Sequence, residues 1–389
     1  MKTKALSLAG ALVALAASTS MAFAFEDGAI VIWQDDRAPD LLGEIGAQFE
    51  EDLGIQVIVE NVDPLTDRFQ QAAATGDGPD IVMWAHDRFG EWAAGGLISP
   101  VTPSAEVVDG NLPSAWEAVS FDNQVWGYPV AVEAIGLVYN KDLVETPPEN
   151  FEDIMAMEFD EGVTPIMWAY NDTYFTFPMM MANGGFAFEK VDGAYDGTNT
   201  GVNTEGAIQG GEVLAELIES GTMPAGVDYG VMDGAFANGE VAMIINGPWS
   251  WAAYEDAGID VGVAPLPSVA GSPSTPFLGV QALALNAASP NQDLAVEFIE
   301  NYLLTDENIQ LWNSTGALGV PTDTSVGAAE DDENIVQTLA NAEIGVPMPS
   351  NPEMGAFWSA MEPALGNITS GATTVQQALD DAAARILGE

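Results

Sequence analysis

Apolar positions along the chain change period in a regular way. Ile30 to Trp33 is a short β-branched run, after which Leu41, Leu42, Ile45, Phe49 and Leu53 recur at helical spacing until Gly54. The pattern then predicts a strand over 55–60, a helix over 64–75, a turn at GDGPD (76–80) and a third apolar strand over 81–84. Strands alternating with helices in this way predict an α/β lobe with parallel strands.

The rhythm changes near Phe121, where DNQ reads as a turn and Val125 to Asn140 is one long extended apolar segment, broken only by Gly, Pro and Glu. A second α/β region follows, with a helix over 204–220 closed by Gly221, another over 233–238 and a strand over 241–245. Gly279 to Asn286 is a further apolar strand and, like the first extended segment, long enough to cross between lobes. The next helix is predicted to start at Ser289 as its cap, with Pro290 first and Gln292 completing a capping box. Its core face is Leu294, Ala295, Phe298, Ile299, Tyr302 and Leu303; a last helix over 374–387 carries Val375, Leu379, Ala383 and Ile386 on one face. A chain of 389 residues exceeds what one core supports. The expected fold class is therefore α/β, with two lobes joined by a multi-strand hinge and a ligand cleft between them.

The N-terminal pattern differs. Lys2 and Lys4 precede an apolar run from Ala5 to Ala17, a polar STS and the small-residue site Ala22-Phe23-Ala24, the arrangement of a secretory signal peptide cleaved after Ala24. That run is shorter than the ~20 residues a membrane-spanning helix needs. There is no cysteine, which excludes disulfides, a thiol nucleophile and a lipid-modified cysteine. The mature chain is expected free in a periplasm.

Eight basic residues face 59 acidic ones, a formal charge of −51, spread along a chain that is 48% apolar. The apolar content identifies a globular protein rather than an acidic tail. The charge excludes nucleic acid and anionic lipid as partners, because both need basic clusters. It also reads as a surface adapted to high salt, where screening shortens charge repulsion. His86 is the sole histidine and no GxSxG occurs, which argues against a nucleophilic hydrolase. No His/Cys cluster suggests a metal centre, and no cofactor is expected.

Long strings carry a resemblance: AATGDGPDIVMWAHDRFGEWA (73–93), YPVAVEAIGLVYNKDL (128–143), YFTFPMMMANGGFAF (174–188), INGPWSW (245–251), NAASPNQDLAVEFIENYLLTDE (286–307) and MGAFWSA (354–360). Over nearly all of 25–389 the chain resembles the maltose/maltodextrin-binding branch of the extracellular solute-binding proteins that serve ABC importers. The resemblance implies two discontinuous lobes, roughly 25–132 with 282–329 and 133–281 with 330–389, closing on a sugar. It further implies delivery to an inner-membrane ABC permease, a possible chemoreceptor partner and a monomeric chain.

A sugar offers an apolar C–H face and a ring of hydroxyls, so its site needs flat aromatics and charged hydrogen-bonding groups. By the resemblance the ligand-binding residues are Asp36, Arg37, Trp84, Asp87, Arg88, Glu133, Asp172, Tyr174, Tyr229, Trp249, Met348 and Trp358. The residues add their own signals. Arginines are scarce here, and Glu133 is a carboxylate in an otherwise apolar strand, costly to bury without a partner. Asp172-Thr173-Tyr174 stands where the family pattern reads Glu-Pro-Tyr, and Glu362 stands where it has an arginine. Asp63 to Asp67 match it loosely, and one residue is missing between Trp33 and Asp36. These departures leave trehalose or sucrose open beside maltodextrin. The rival class is a glycoside hydrolase, with Asp87 and Glu133 as its carboxylate pair, but with acids this abundant nothing singles out such a pair.

Overall fold

The computed structural model describes Phe25 and residues 28–35, 39–191, 194–314, 319–327 and 332–389. The signal segment read at 1–24 lies outside them. Strands β1 (Ala29–Gln34), β2 (Gln56–Asn61) and β3 (Ile81–Ala85) form near their predicted positions, linked by helices Pro39–Leu53 and Leu65–Ala73. β1 lies between β2 and β3 and runs parallel to both, as helical crossovers require. Gly54, at φ 70°, ends the first helix and returns its N–H to the Glu50 carbonyl at 2.8 Å. Asp122 and Asn123 both adopt positive φ, 51° and 59°, and reverse the chain between two short strands. This is the geometry of a type I′ hairpin.

The long apolar segment after that hairpin divides between two sheets. β4 (Tyr128–Ala134) joins the first; after Ile135, β5 (Gly136–Asn140) joins a second sheet with β6 (Thr164–Met167), β7 (Val241–Asn246) and β8 (Val261–Ala264). The second sheet has the order β8-β5-β7-β6, and only its β7–β6 pair is parallel. β9 (Phe277–Asn286) starts two residues before the predicted Gly279 and inserts between β4 and β3, antiparallel to both. With β10 (Val320–Pro321) the first sheet reads β10-β4-β9-β3-β1-β2, so the parallel unit is embedded in a mixed sheet.

Each sheet has its own core. One gathers Ile30, Phe49, Phe69, Trp92, Tyr128, Leu283, Phe298 and Trp312; the other gathers Val138, Trp168, Phe177, Leu214, Ile244, Phe357 and Leu379. Within β9 the allegiance switches, since Phe277 belongs to the second core and Val280 to the first. The two cores are the two lobes, and β9 passes from one to the other.

The helix predicted to start at Ser289 begins instead at Gln292, with Asn291 as an N-cap that makes no side-chain cap bond. Ser289 Oγ still accepts the Asn291 N–H at 3.0 Å, but residues 290–291 form a turn, and the hydroxyl proton goes to a buried carboxylate. Asp80 accepts from Ser289 Oγ at 2.5 Å, Asn291 Nδ2 at 3.1 Å and Val31 N at 2.8 Å, which uses the serine to tie β3 and β1 to the helix entry. Gln292 does not complete the box, donating instead to Ser99 Oγ and the Asn286 carbonyl. Of the predicted core face, Ala295, Phe298, Ile299 and Leu303 are buried while Leu294 and Tyr302 are half-buried, and the helix widens into a π-helical turn over Ile299–Leu303. The helix predicted over 233–238 starts earlier and spans Tyr229–Ala237, capped by Asp228. Thr204 and Thr374 cap helices Glu205–Glu219 and Val375–Ile386, close to prediction. Among the described residues no helix is long and apolar enough to cross a membrane.

Candidate functional site

A cavity of about 850 Å³ opens between the two lobes, within the size range of small-molecule sites. From the first sheet, β3 supplies Trp84 next to its end, the 3₁₀ turn His86–Arg88 supplies Asp87 and Arg88, and β4 supplies Glu133. Opposite them, helix Thr173–Met181 presents Tyr174 beside its cap Asp172, and helix Tyr229–Ala237 begins with Tyr229. Trp249 sits in the turn after β7, while Met348 and helix Met354–Thr369, with Trp358, complete the wall. All ten of the predicted site residues that are described line this one cavity; Asp36 and Arg37 lie outside the described residues.

The aromatic side is built as a unit. Tyr174 and Trp249 have ring centroids 6.3 Å apart, and Phe175 contacts Tyr174, Tyr229 and Trp249 at 5.5, 6.1 and 6.3 Å. A polar chain behind them sets their angles. Tyr254 donates to Asp233 at 2.8 Å, Asn246 donates to Tyr254 and Tyr229, and Trp249 Nε1 donates to the Tyr229 hydroxyl at 3.1 Å. Burial and the neighbouring Asp233 raise the Tyr254 phenol well above its ordinary pKa, which keeps it a neutral donor. Trp358 is braced from behind by Phe357 and Phe277, at 4.9 and 5.8 Å.

Trp358 also spans the cleft, donating from Nε1 to Asp87 Oδ2 at 2.9 Å. Asp87 is buried, and loss of hydration pushes its carboxyl up to about 6, against the opposing pull of Arg88 and the Trp358 bond. Arg88 lies 3.8 Å from Asp87 and 3.3 Å from Glu91 while lining the cavity, so it both offsets acids and faces the cavity. Next to them, His86 is fully enclosed and burial lowers it to about 4. Its Nδ1 accepts the Val280 N–H at 3.0 Å, so its Nε2 carries the proton and donates to the Met348 carbonyl at 2.9 Å. The sole histidine is thus a structural bolt that joins the turn after β3 to β9 and to the segment bearing Met348.

Asp172 accepts from Tyr174 N at 2.9 Å and caps its helix. Crowding in the cleft wall and then the charge of Glu362 raise its pKa, although it still reaches water. Glu133 is buried, as its apolar strand foretold, and accepts from Gln281 Nε2 at 3.0 Å. The cavity is also lined by residues outside the predicted binding set: Asp63, Thr173 and Glu362, noted only as departures from the family pattern, and Asn171, Phe175, Gly279 and Gln281, among others. Gln281 carried a signal, since it is the one polar residue inside the apolar run FLGVQALAL, the same criterion that picked out Glu133. Thr173 Oγ1 and Gln281 Oε1 are buried in this wall without a hydrogen-bond partner. Among the described residues no group of three or more His, Cys, Asp or Glu side chains is placed to hold a metal.

The sequence pattern of the bacterial extracellular solute-binding proteins matches residues 36–310. The chain belongs to that family. Its relatives include a galactooligosaccharide-binding protein of Bacillus subtilis, 27% identical over 92% of this chain and 89% of the relative. A maltotriose-binding protein of Pyrococcus abyssi is 28% identical over 88% and 77%, and a maltodextrin-binding protein of Bacillus subtilis is 26% identical over 94% and 92%.

Proposed function

We propose that this solute-binding protein captures maltose or a short maltodextrin in the interlobe cavity and delivers it, without chemical change, to an ABC importer. The observation that carries the reading is the alternation of flat rings and carboxylates around one cavity: Trp84, Tyr174, Trp249 and Trp358 beside Asp87, Glu133 and Asp172. Rings cover the C–H faces of sugars, and carboxylates take their hydroxyl protons in strong charge-assisted bonds. Asp36 and Arg37 belong to the same proposal by the family resemblance. The lobes are proposed as 25–132 with 282–329 and 133–281 with 330–389, in line with the two cores, and the chain as a monomer exported by a signal peptide cleaved after Ala24.

The transport cycle is capture by an open form, closure about β4 and β9, and handover of the closed complex to the permease. Closure needs tighter binding to the closed form than to the open one. Calorimetry with maltose, maltotriose, trehalose, sucrose and a galactooligosaccharide tests the assignment, with maltose and maltotriose expected to bind most tightly; binding of the galactooligosaccharide alone overturns it. Solution scattering with saturating maltotriose should show a more compact particle, and coincident profiles would remove the closure step. Release of glucose from maltotriose by purified protein would instead support a hydrolase.

A further inference from the structure

We infer that Gln281 is a direct ligand contact that selects for a hydroxyl next to the one reaching Glu133, an inference that rests on the sugar-binding reading above. Side chains alternate along a strand, so Gly279 and Gln281 share one face of β9. On the flanking strands Glu133 pairs with Gly279 and Ala85 pairs with Gln281, and all four residues line the cavity. The Gln281 amide therefore lies in the cavity floor, where the residue is only 3% exposed. Its Nε2 donates to Glu133 Oε2 at 3.0 Å. The reverse amide orientation would set a carbonyl oxygen against a carboxylate oxygen, so Glu133 fixes which end of the amide is left over. That end is Oε1, an enclosed acceptor with no partner.

A buried acceptor without a donor is unfavourable, and a donor supplied by the ligand relieves it. Oε1 can only accept, so a hydroxyl fits, whereas an ether oxygen or a bare carbon does not. A carboxylate and an amide carbonyl held side by side suit two adjacent sugar hydroxyls, one on each. A site of this kind rejects analogues lacking one hydroxyl far more strongly than an apolar pocket does, because its own polar atom is left unpaired.

The test is calorimetry of wild type, Gln281→Met and Gln281→Glu with maltose and its full set of monodeoxy analogues. Wild type should lose tenfold or more in affinity for one analogue whose missing hydroxyl adjoins that bound by Glu133. Gln281→Met should lose a similar factor for maltose and no further factor for that analogue. A Gln281→Met protein that binds maltose like wild type overturns the inference. So does a uniform loss across all analogues, which is the signature of a purely positioning role through Glu133. If both variants fail to fold, the wild-type series still decides, because equal affinity for every monodeoxy analogue overturns the contact. Absence of any heat with maltose overturns instead the ligand assignment beneath it, and the two failures are distinct.

Discussion

Asp87 joins several roles in one buried side chain. It accepts the indole N–H of Trp358 across the cleft, neighbours Arg88, and sits beside the enclosed His86. A sugar hydroxyl donated to its carboxylate favours the ionised form, so binding expels a proton wherever Asp87 is protonated beforehand. With Asp87 at about 6, affinity for maltotriose should hold steady above about pH 7 and fall below pH 6, by at most tenfold per pH unit for one linked proton. Titrations in Asp87→Asn should lack that slope. In folding, the two neighbours oppose each other. His86, lowered to about 4, adds stability that is lost as pH falls from its unfolded value of 6.5, while Asp87, raised from 3.8 to about 6, adds stability that is lost as pH rises. Urea stability of Asp87→Asn should accordingly climb more steeply between pH 4 and 6 than that of wild type. The half-buried ring of Trp358 faces the cavity and bonds to Asp87, and Trp84 lines the cavity from the other lobe. Replacing either by Ala should weaken maltotriose binding by about 1 kcal/mol or more, and an unchanged calorimetric affinity would take that ring out of the site.

Helix Glu205–Glu219 shows how an element depends on what it touches. Gly206 and Gly210 face the helix Thr173–Met181 and its exit so closely that a Cβ on Gly210 would stand 2.5 Å from the Met179 carbonyl oxygen, and one on Gly206 would stand 1.9 Å from that of Asn183. Neither gap can widen without moving the helix that presents Tyr174. Gly210→Ala should therefore destabilise the protein by about 1–3 kcal/mol, the usual range for overpacking, seen as a lower melting temperature. Elements were legible in the sequence wherever the signal was local. Thr204 and Thr374 cap their helices because the bond needs only the next three residues. Ser289 does accept the Asn291 N–H as a cap should, but it also donates to Asp80, far off in sequence, and the helix proper starts three residues later at Gln292. The start of helix Tyr229–Ala237 was missed because Tyr229 and Val231 face outward, which breaks the amphipathic period.

At the scale of the whole molecule, charge outweighs every other feature of the surface. A formal −51 on 389 residues opposes compaction at low salt, since exposed carboxylates within a screening length repel one another. Raising salt from about 0.1 M to 1 M shortens that length from roughly 10 Å to 3 Å. The melting temperature should rise over this range, and a flat profile would count against adaptation to high salt. The acids concern the surface, whereas the cavity concerns topology. Periodicity, caps and turn residues determined the run of strands and helices, because those signals depend on neighbours a few positions apart. The resemblance carried the choice of Trp84, Asp87, Glu133 and the second-lobe rings. What only the tertiary structure decided is their company. Insertion of β9 between β4 and β3 sets Gln281 against Glu133, 148 positions away, and lets His86 reach the Met348 carbonyl, 262 positions away. No local pattern encodes such distances, because they arise from strand order and the packing of two cores against one shared strand.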